Sequence, residues 1–544
     1  MIRISNLAVP LREACAPTDA AALRQLAAKR LGLPVQMVEE VTVMRQAVDA
    51  RRYHGAPLQF IYVLDVALRD AGRLPKKRQA KWQKDKQLSM VAPEEVPPVP
   101  QCPLAAGALR PIVVGFGPAG MFAALTLARA GQQPLVLERG QDVDTRHRDI
   151  AQFWRTGVLK ADSNVQFGEG GAGTFSDGKL TTRINDPHMK DVIEAFVAAG
   201  APEEIRYLHK PHIGTDILRT VVKNLRQEVI RLGGEVRFGC CVTELELAAD
   251  GRVAAVIVNG EERIPASQVF MGIGHSARDT YRMLYAGGVA MEAKPFAMGV
   301  RIEHPQELID RSQYGADVGH PLLPMADYAL TWRDRVTKRG CYSFCMCPGG
   351  LVVGATSEVH GVVTNGMSNY HRDSGIANAA LLVQVGPQDF GTGVFDGMLL
   401  QEKLEHLAFQ AGGGDYRAPV QTVGDFLAGR SGSTQFLTTP TYQPGVKAAD
   451  LHSCLPRYIT DALAGALPAF GRRIPGFDDP GAVMTGVESR SSAPCRIRRD
   501  RQTFEAEHNA GLYPLGEGAG YAGGIMSAAV DGMKAALAYL ATQK

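Results

Sequence analysis

The chain has 544 residues, 21% charged and 45% apolar, with a net charge of +3. That length exceeds what one hydrophobic core organises, so two or three domains are expected, and the ordinary composition excludes an extended disordered protein. No run approaches the roughly 18 apolar residues of a membrane helix, residues 1–6 lack a signal peptide's apolar core, and nine scattered cysteines suit free thiols, so a cytoplasmic protein without a membrane span is expected.

Residues 1–92 read as a small basic α+β domain. Ile2 to Val9 and Phe60 to Leu68 are strand-like, and Asp19 to Leu31 is an amphipathic helix with Thr18 as its predicted cap and Gly32 past its end. Lys76, Lys77, Arg78, Lys81, Lys84 and Lys86 crowd together around Trp82. A solvated approach to a linker is the simpler reading of that run, and a nucleic-acid patch is the alternative. Pro93, Pro97, Pro98, Pro100 and Pro103 make 93–109 a stiff connector.

Residues 110–288 open with strand, glycine turn, helix and strand. Ile112-Val113-Val114 leads into Gly115-Phe116-Gly117-Pro118-Ala119-Gly120, and Leu135-Val136-Leu137 ends on Glu138. Gly115 permits the turn, Gly117 admits a pyrophosphate to the backbone, and Gly120 lets the helix pack on the strand. Glu138 stands where an acid accepts from a ribose hydroxyl. A second glycine-rich stretch runs from Phe167 to Leu180, and Val236 to Leu247 and Val253 to Asn259 read as paired strands about a Gly251 turn. From 289 to 481 periodicity is poor and turns are dense, which predicts an inserted, mixed α+β substrate domain. Residues 482–544 close the first domain with a third glycine loop, Gly511 to Ile525, and a helix from Met526 to Leu540.

Three glycine loops spread over some four hundred residues imply a ligand longer than a nicotinamide nucleotide. Gly115 to Gly120, Leu137-Glu138-Arg139, Gly170-Gly171, Phe344-Cys345-Met346-Cys347-Pro348-Gly349-Gly350 and Gly516 to Ile525 together resemble the two-dinucleotide-binding, glutathione-reductase-like flavoprotein superfamily, and within it the poorly characterised NAD(P)/FAD-dependent dehydrogenases. The resemblance implies a Rossmann-like α/β FAD-binding domain with a parallel sheet. It also implies that Gly115, Gly117, Pro118, Ala119 and Gly120 hold the pyrophosphate, Glu138 and Arg139 the adenosine end, and Val242 the adenine. Gly170, Gly171 and Thr174 line the cofactor, with Lys179 and Leu180 nearby and Gly272 and Gly274 at the crossover. At the flavin end stand Gly516, Glu517, in place of the usual Asp, Gly524, Ile525 and Met526.

A flavin carries the hydride chemistry itself, so the protein must orient a substrate and often move a proton. Cys345 and Cys347 share one face of a strand, about 6.5 Å apart at Cα, near the upper limit for a relaxed disulfide. They are as readily two packed thiols as flavin neighbours, and the family resemblance favours function. His275 is the first candidate proton donor, with His212 and His304 behind it, and Arg490 and Arg496 are candidate anion clamps. No metal site is expected. These features predict an FAD-dependent oxidoreductase acting on a small organic molecule, with NAD(P)H a candidate donor that lacks its own Rossmann domain. An FAD-dependent tRNA-modifying enzyme and a flavin redox sensor relayed by Cys345 and Cys347 are the rival readings.

Overall fold

The computed structural model describes residues 1–51, 57–69, 76–92 and 98–543. Pro93 and Pro97 of the expected connector lie outside the described residues. The chain divides into two compact units, one holding Met1–Pro97, Pro202–Pro211 and Asp310–Ala326, the other Pro98–Ala201, His212–Ile309 and Asp327–Lys544.

The first unit is built on a four-stranded antiparallel sheet in the order Val38–Asp49, Gln59–Leu68, Ile2–Pro10, Leu88–Met90. Ile4, Tyr62, Leu64 and Val66 are fully buried and form its core. Asp19, not Thr18, caps helix Ala20–Leu31, its carboxylate accepting from Ala22 N at 3.0 Å. An aspartate at that position satisfies a free helix N–H and places negative charge at the positive end. Strand Val38–Asp49, which the sequence did not announce, carries two bulges that blur its alternation.

The second unit contains a five-stranded parallel sheet in the order Leu512–Pro514, Val269–Met271, Ile112–Val114, Leu135–Leu137, Glu235–Arg237. Its first four strands are wholly buried, as expected of a parallel sheet covered on both faces. The predicted strand from Val236 to Leu247 is in fact two. Glu235–Arg237 joins the parallel sheet, Gly239 turns the chain at φ +65, and Val242–Leu247 pairs with Val253–Val258 in a separate antiparallel sheet. Residues 101–104 fasten onto the end of helix Pro118–Arg129, with Cys102 N donating to Ala130 O and Leu104 N to Gly131 O. That helix also meets the closing helix Ile525–Ala541 backbone to backbone, since a Cβ added at Gly532 would fall 2.0 Å from Ala119 O.

The turn-rich stretch after 289 holds a seven-stranded mixed sheet. Its order is Thr331–Arg333, Gly340–Cys347, Ile376–Val385, Phe296–Pro305, Val483–Glu488, Ala418–Thr422, Val446–Ala448, antiparallel except for the last pair. Phe296–Pro305 and Ile376–Val385 are buried on both faces and therefore lack the alternation that marks a strand in sequence. Among the described residues no helix is long and apolar enough to cross a membrane.

Candidate active site

Strand Ile112–Val114 ends at Gly115, whose φ of +86 and closeness to the crossover admit no side chain; a Cβ there would lie 2.5 Å from Gly272 O. A Cβ at Gly120 would lie 1.9 Å from Gly115 O, so the helix packs on its own turn. Gly117 precedes Pro118 at the helix start and faces Gly171, where an added Cβ would come 3.0 Å from Gly117 Cα. Two glycine loops thus meet across the open end of a helix, where unpaired N–H groups favour an anion.

A buried arginine builds the second loop. Arg146, fully buried, donates to the carbonyls of Asn164, Val165, Glu169 and Gly171 at 2.7–2.9 Å. Glu138 ties the two loops together: Oε2 accepts from Phe116 N at 2.7 Å, and Oε1 from Gly140 N at 2.9 Å and Gly168 N at 3.0 Å. Of a carboxylate's roughly four acceptor directions, three are occupied by backbone, leaving one for a ribose hydroxyl. Arg139 lies over the Phe167 ring at 4.5 Å and pairs with Asp279 at 2.5 Å.

These groups line a cavity of about 550 Å³. Of the predicted cofactor residues, Gly115, Gly117, Pro118, Ala119, Glu138, Arg139, Gly171, Lys179, Val242, Gly272, Gly274, Glu517, Gly524 and Ile525 face it. Gly120, Gly170, Thr174, Leu180, Gly516 and Met526 stand behind its wall. Thr174 is buried against Gly170, Leu180 and Met526 are 2% exposed, and Gly516 N is held by Asp531 Oδ2 at 2.7 Å. Gly274, Gly523 and Gly524 would meet nothing within 4 Å of an added Cβ, so the cavity opens directly onto their backbone. At this end sits Glu517, which burial pushes up to about 7, with Gly524 N at 3.5 Å.

Cys345 and His275 face the same cavity; Cys347 is fully buried behind it. Burial, then Arg490 and Arg278, hold His275 down to about 4, so it stands neutral at pH 7 and accepts or shares a proton with Ser276 Oγ at 2.9 Å. His212 and His304, also held down to about 4 by burial, do not face the cavity; His304 Nε2 bonds Phe477 O at 2.7 Å. Tyr328, missed in the sequence, presents a buried hydroxyl with no hydrogen-bond partner.

The expected anion clamps have other duties. Arg490 and Arg278 grip Glu405 from two sides, with N···O distances of 2.8–3.0 Å and all three side chains at most 2% exposed. Burial would raise the Glu405 carboxyl, but the two guanidiniums hold it far below the usual range. Arg490 also donates to Ser357 Oγ at 2.6 Å and reaches Glu358, which leaves little for a substrate. Arg496 pairs with Glu292 at 2.9 Å. Among the described residues no cluster of His, Cys, Asp or Glu is placed to hold a metal.

A second cavity, of about 580 Å³, shares Phe344, Ser491, Glu517 and Gly523 with the first. Phe296, Leu382 and Val385 give it an apolar wall, and Lys294 gives it a cation. The Lys294 ammonium, depressed by burial, bonds weakly to Ser492 Oγ and Ala493 O, each at 3.4 Å.

The shape and donors of the first cavity suit FAD: paired glycine loops and a helix start for the pyrophosphate, an acid at the end of the second strand, and a second helix start at Gly524 and Ile525. Comparison with known proteins agrees. Residues 110–385, half of the chain, match the FAD binding domain family, residues 295–491 match a FAD-dependent protein C-terminal domain, and residues 1–67 match a domain of unknown function. An uncharacterized protein of Clostridium beijerinckii is 46% identical over 536 residues, 98% of each chain. Among solved structures, CtdE in complex with FAD shares 12% identity at a TM-score of 0.30, covering 79% of this chain and 84% of that one. Glycine oxidase from Bacillus cereus shares 10% at 0.32, covering 80% and 96%. The chain therefore belongs to the FAD binding domain family and is an FAD-dependent oxidoreductase.

Proposed function

We propose that this oxidoreductase is a cytoplasmic dehydrogenase or reductase of a small organic substrate, fed by NAD(P)H in the manner of the NAD(P)/FAD-dependent dehydrogenases it resembles. The observation that carries the reading is the pair of adjoining cavities, one edged by glycine backbone and one by apolar side chains, meeting at Phe344, Ser491, Glu517 and Gly523. Bound in the first cavity, FAD supplies hydride transfer. The pyrophosphate falls to Gly115, Gly117 and Gly171, the adenosine end to Glu138, Arg139 and Val242, and the ring to Gly274, Gly524 and Ile525.

The second cavity excludes water from the substrate with Phe296, Phe344 and Leu382, and Lys294 meets an acidic group on it. Glu517, poised near neutrality on the shared wall, holds or gives the proton that hydride transfer requires. His275 and the Tyr328 hydroxyl, which line the first cavity, orient the reacting group where the substrate reaches into it.

Anaerobic titration with NADPH and NADH, following the flavin's visible absorbance, tests the donor. Bleaching by either nucleotide is expected. If neither bleaches a flavin that dithionite does bleach, the electrons come from the organic substrate, and NAD(P)H is struck from the reading.

A further inference from the structure

Strand Gly340–Cys347 reaches the cavity wall through an irregularity. Phe344 pairs with Ala380 and Cys347 with Asn378, so three steps on this strand oppose two on its neighbour. One residue is extra, and Cys345 takes the distortion, at a left-handed φ of +44 that a non-glycine side chain rarely adopts. In a flat strand two cysteines at this spacing sit at the limit of what a disulfide spans. Here the bulge turns Cys347 back toward Cys345: the Cys347 thiol donates to the Cys345 carbonyl oxygen at 3.3 Å.

The two sulfurs are unlike. Cys345 is half-buried and faces the cavity, whereas Cys347 is fully buried one layer behind it. Two cations hold the bulged peptide in place. Arg301 Nη1 donates to Cys345 O at 3.1 Å, and Lys179, paired with Asp177 at 3.0 Å, donates to Met346 O. The neighbouring Cys347 side chain, then Lys179 and Arg301, lower the Cys345 thiol, while the Cys345 side chain and burial raise Cys347. A cavity-facing thiolate backed by a protonated thiol is the asymmetry that thiol–disulfide chemistry uses.

We propose that Cys345 and Cys347 form a redox-active dithiol that exchanges two electrons with FAD, Cys345 facing the ring and Cys347 closing the disulfide. The proposal rests on the first cavity being the FAD site. On oxidation, the Cys345 thiolate and the Cys347 S–H become one S–S bond. Two electrons and one proton leave as a hydride equivalent to the oxidised flavin. When Cys345 begins as a thiol, its proton passes to Glu517, which lines the same cavity. On reduction, the same atoms move in reverse, with the reduced flavin as the two-electron donor.

The test uses the whole FAD-loaded protein. Aerobic protein, denatured and alkylated with iodoacetamide, is expected to show two fewer modified cysteines than the nine in the sequence, the missing pair mapping to 345 and 347; dithionite-reduced protein shows all nine. Anaerobic dithionite titration consumes four electrons per flavin in the wild type, two for each couple, and two in Cys345→Ser or Cys347→Ser with the yellow colour retained. The wild-type measurements stand alone should either variant fail to fold. Nine alkylated cysteines in both states with two electrons per flavin overturn the proposal while leaving the FAD site intact. A protein that takes up no FAD overturns both.

Discussion

The FAD-binding part of the second unit and the seven-stranded sheet that follows it make their halves of the site from different material. In the first, ligand-facing surface is mostly main chain. Gly115, Gly117, Gly171, Gly274 and Gly524 bring N–H groups and bare Cα atoms to the cavity, and the side chains that matter shape them by bonding to backbone, Arg146 from behind and Glu138 from the cavity wall. In the second, the cavity is faced by side chains supported by buried charge: Arg301 on Glu488, and Arg278 and Arg490 on Glu405. Main chain at a glycine has one way to fail, a Cβ where none fits. A buried ion cluster fails when one charge is left uncompensated.

The largest effect is therefore expected on the glycine side. Gly120→Val places carbon atoms where Gly115 O lies 1.9 Å from the Cβ position, with no flexible neighbour to yield. The variant is expected to lose ~4 kcal/mol or more and to purify without FAD, read from the ratio of visible to ultraviolet absorbance and from urea unfolding. Wild-type FAD content in that variant would end the claim that this half is built on backbone contact. Next comes Glu405→Ala, which leaves Arg278 and Arg490 facing each other in the interior. A loss of about 3–5 kcal/mol is expected by urea unfolding, with FAD still bound, because no atom of Glu405 faces the first cavity. A loss below about 1 kcal/mol would show that water reaches the pair.

The same contrast explains what the sequence disclosed. Three glycine loops, an acid ending the second strand and a helix after each of two loops are local signals, and most of the cofactor positions they suggested, fourteen of twenty, face the cavity. Gly170, Thr174 and Leu180 were drawn in with them because a glycine-rich run does not tell which of its residues face outward. Arg146 was invisible, since its partners are carbonyls about twenty residues away and any residue type supplies a carbonyl. Glu405, Arg278 and Arg490 come from helix Asp396–Gly412, the start of helix Arg278–Ala286 and the segment after strand Val483–Glu488, and nothing in their spacing ties them together. The buried central strands of the large sheet were equally silent, because with both faces covered their apolar residues do not alternate.

The smallest of these effects sharpens the comparison through pH. Glu303, on the buried strand Phe296–Pro305, has Oε1 satisfied by Thr441 N at 3.0 Å and Thr441 Oγ1 at 2.6 Å, while Oε2 is buried with no partner. Burial outweighs Thr441 and Arg301 and pushes its carboxyl up from 4.5 to about 7. Between those values the native state holds a proton that the unfolded chain has lost. Stability from this group is thus greatest below pH 4.5, falls as pH rises toward 7, and levels off above it. Glu303→Gln keeps the neutral shape and removes the titration, so its stability relative to wild type should rise by about 2–3 kcal/mol between pH 5 and pH 8. Glu517 titrates over the same window in both proteins and cancels from the difference. Urea unfolding of the two at both pH values measures it, and a difference that does not change with pH would mean that Glu303 is ionised in the folded sheet, its charge met by Arg301.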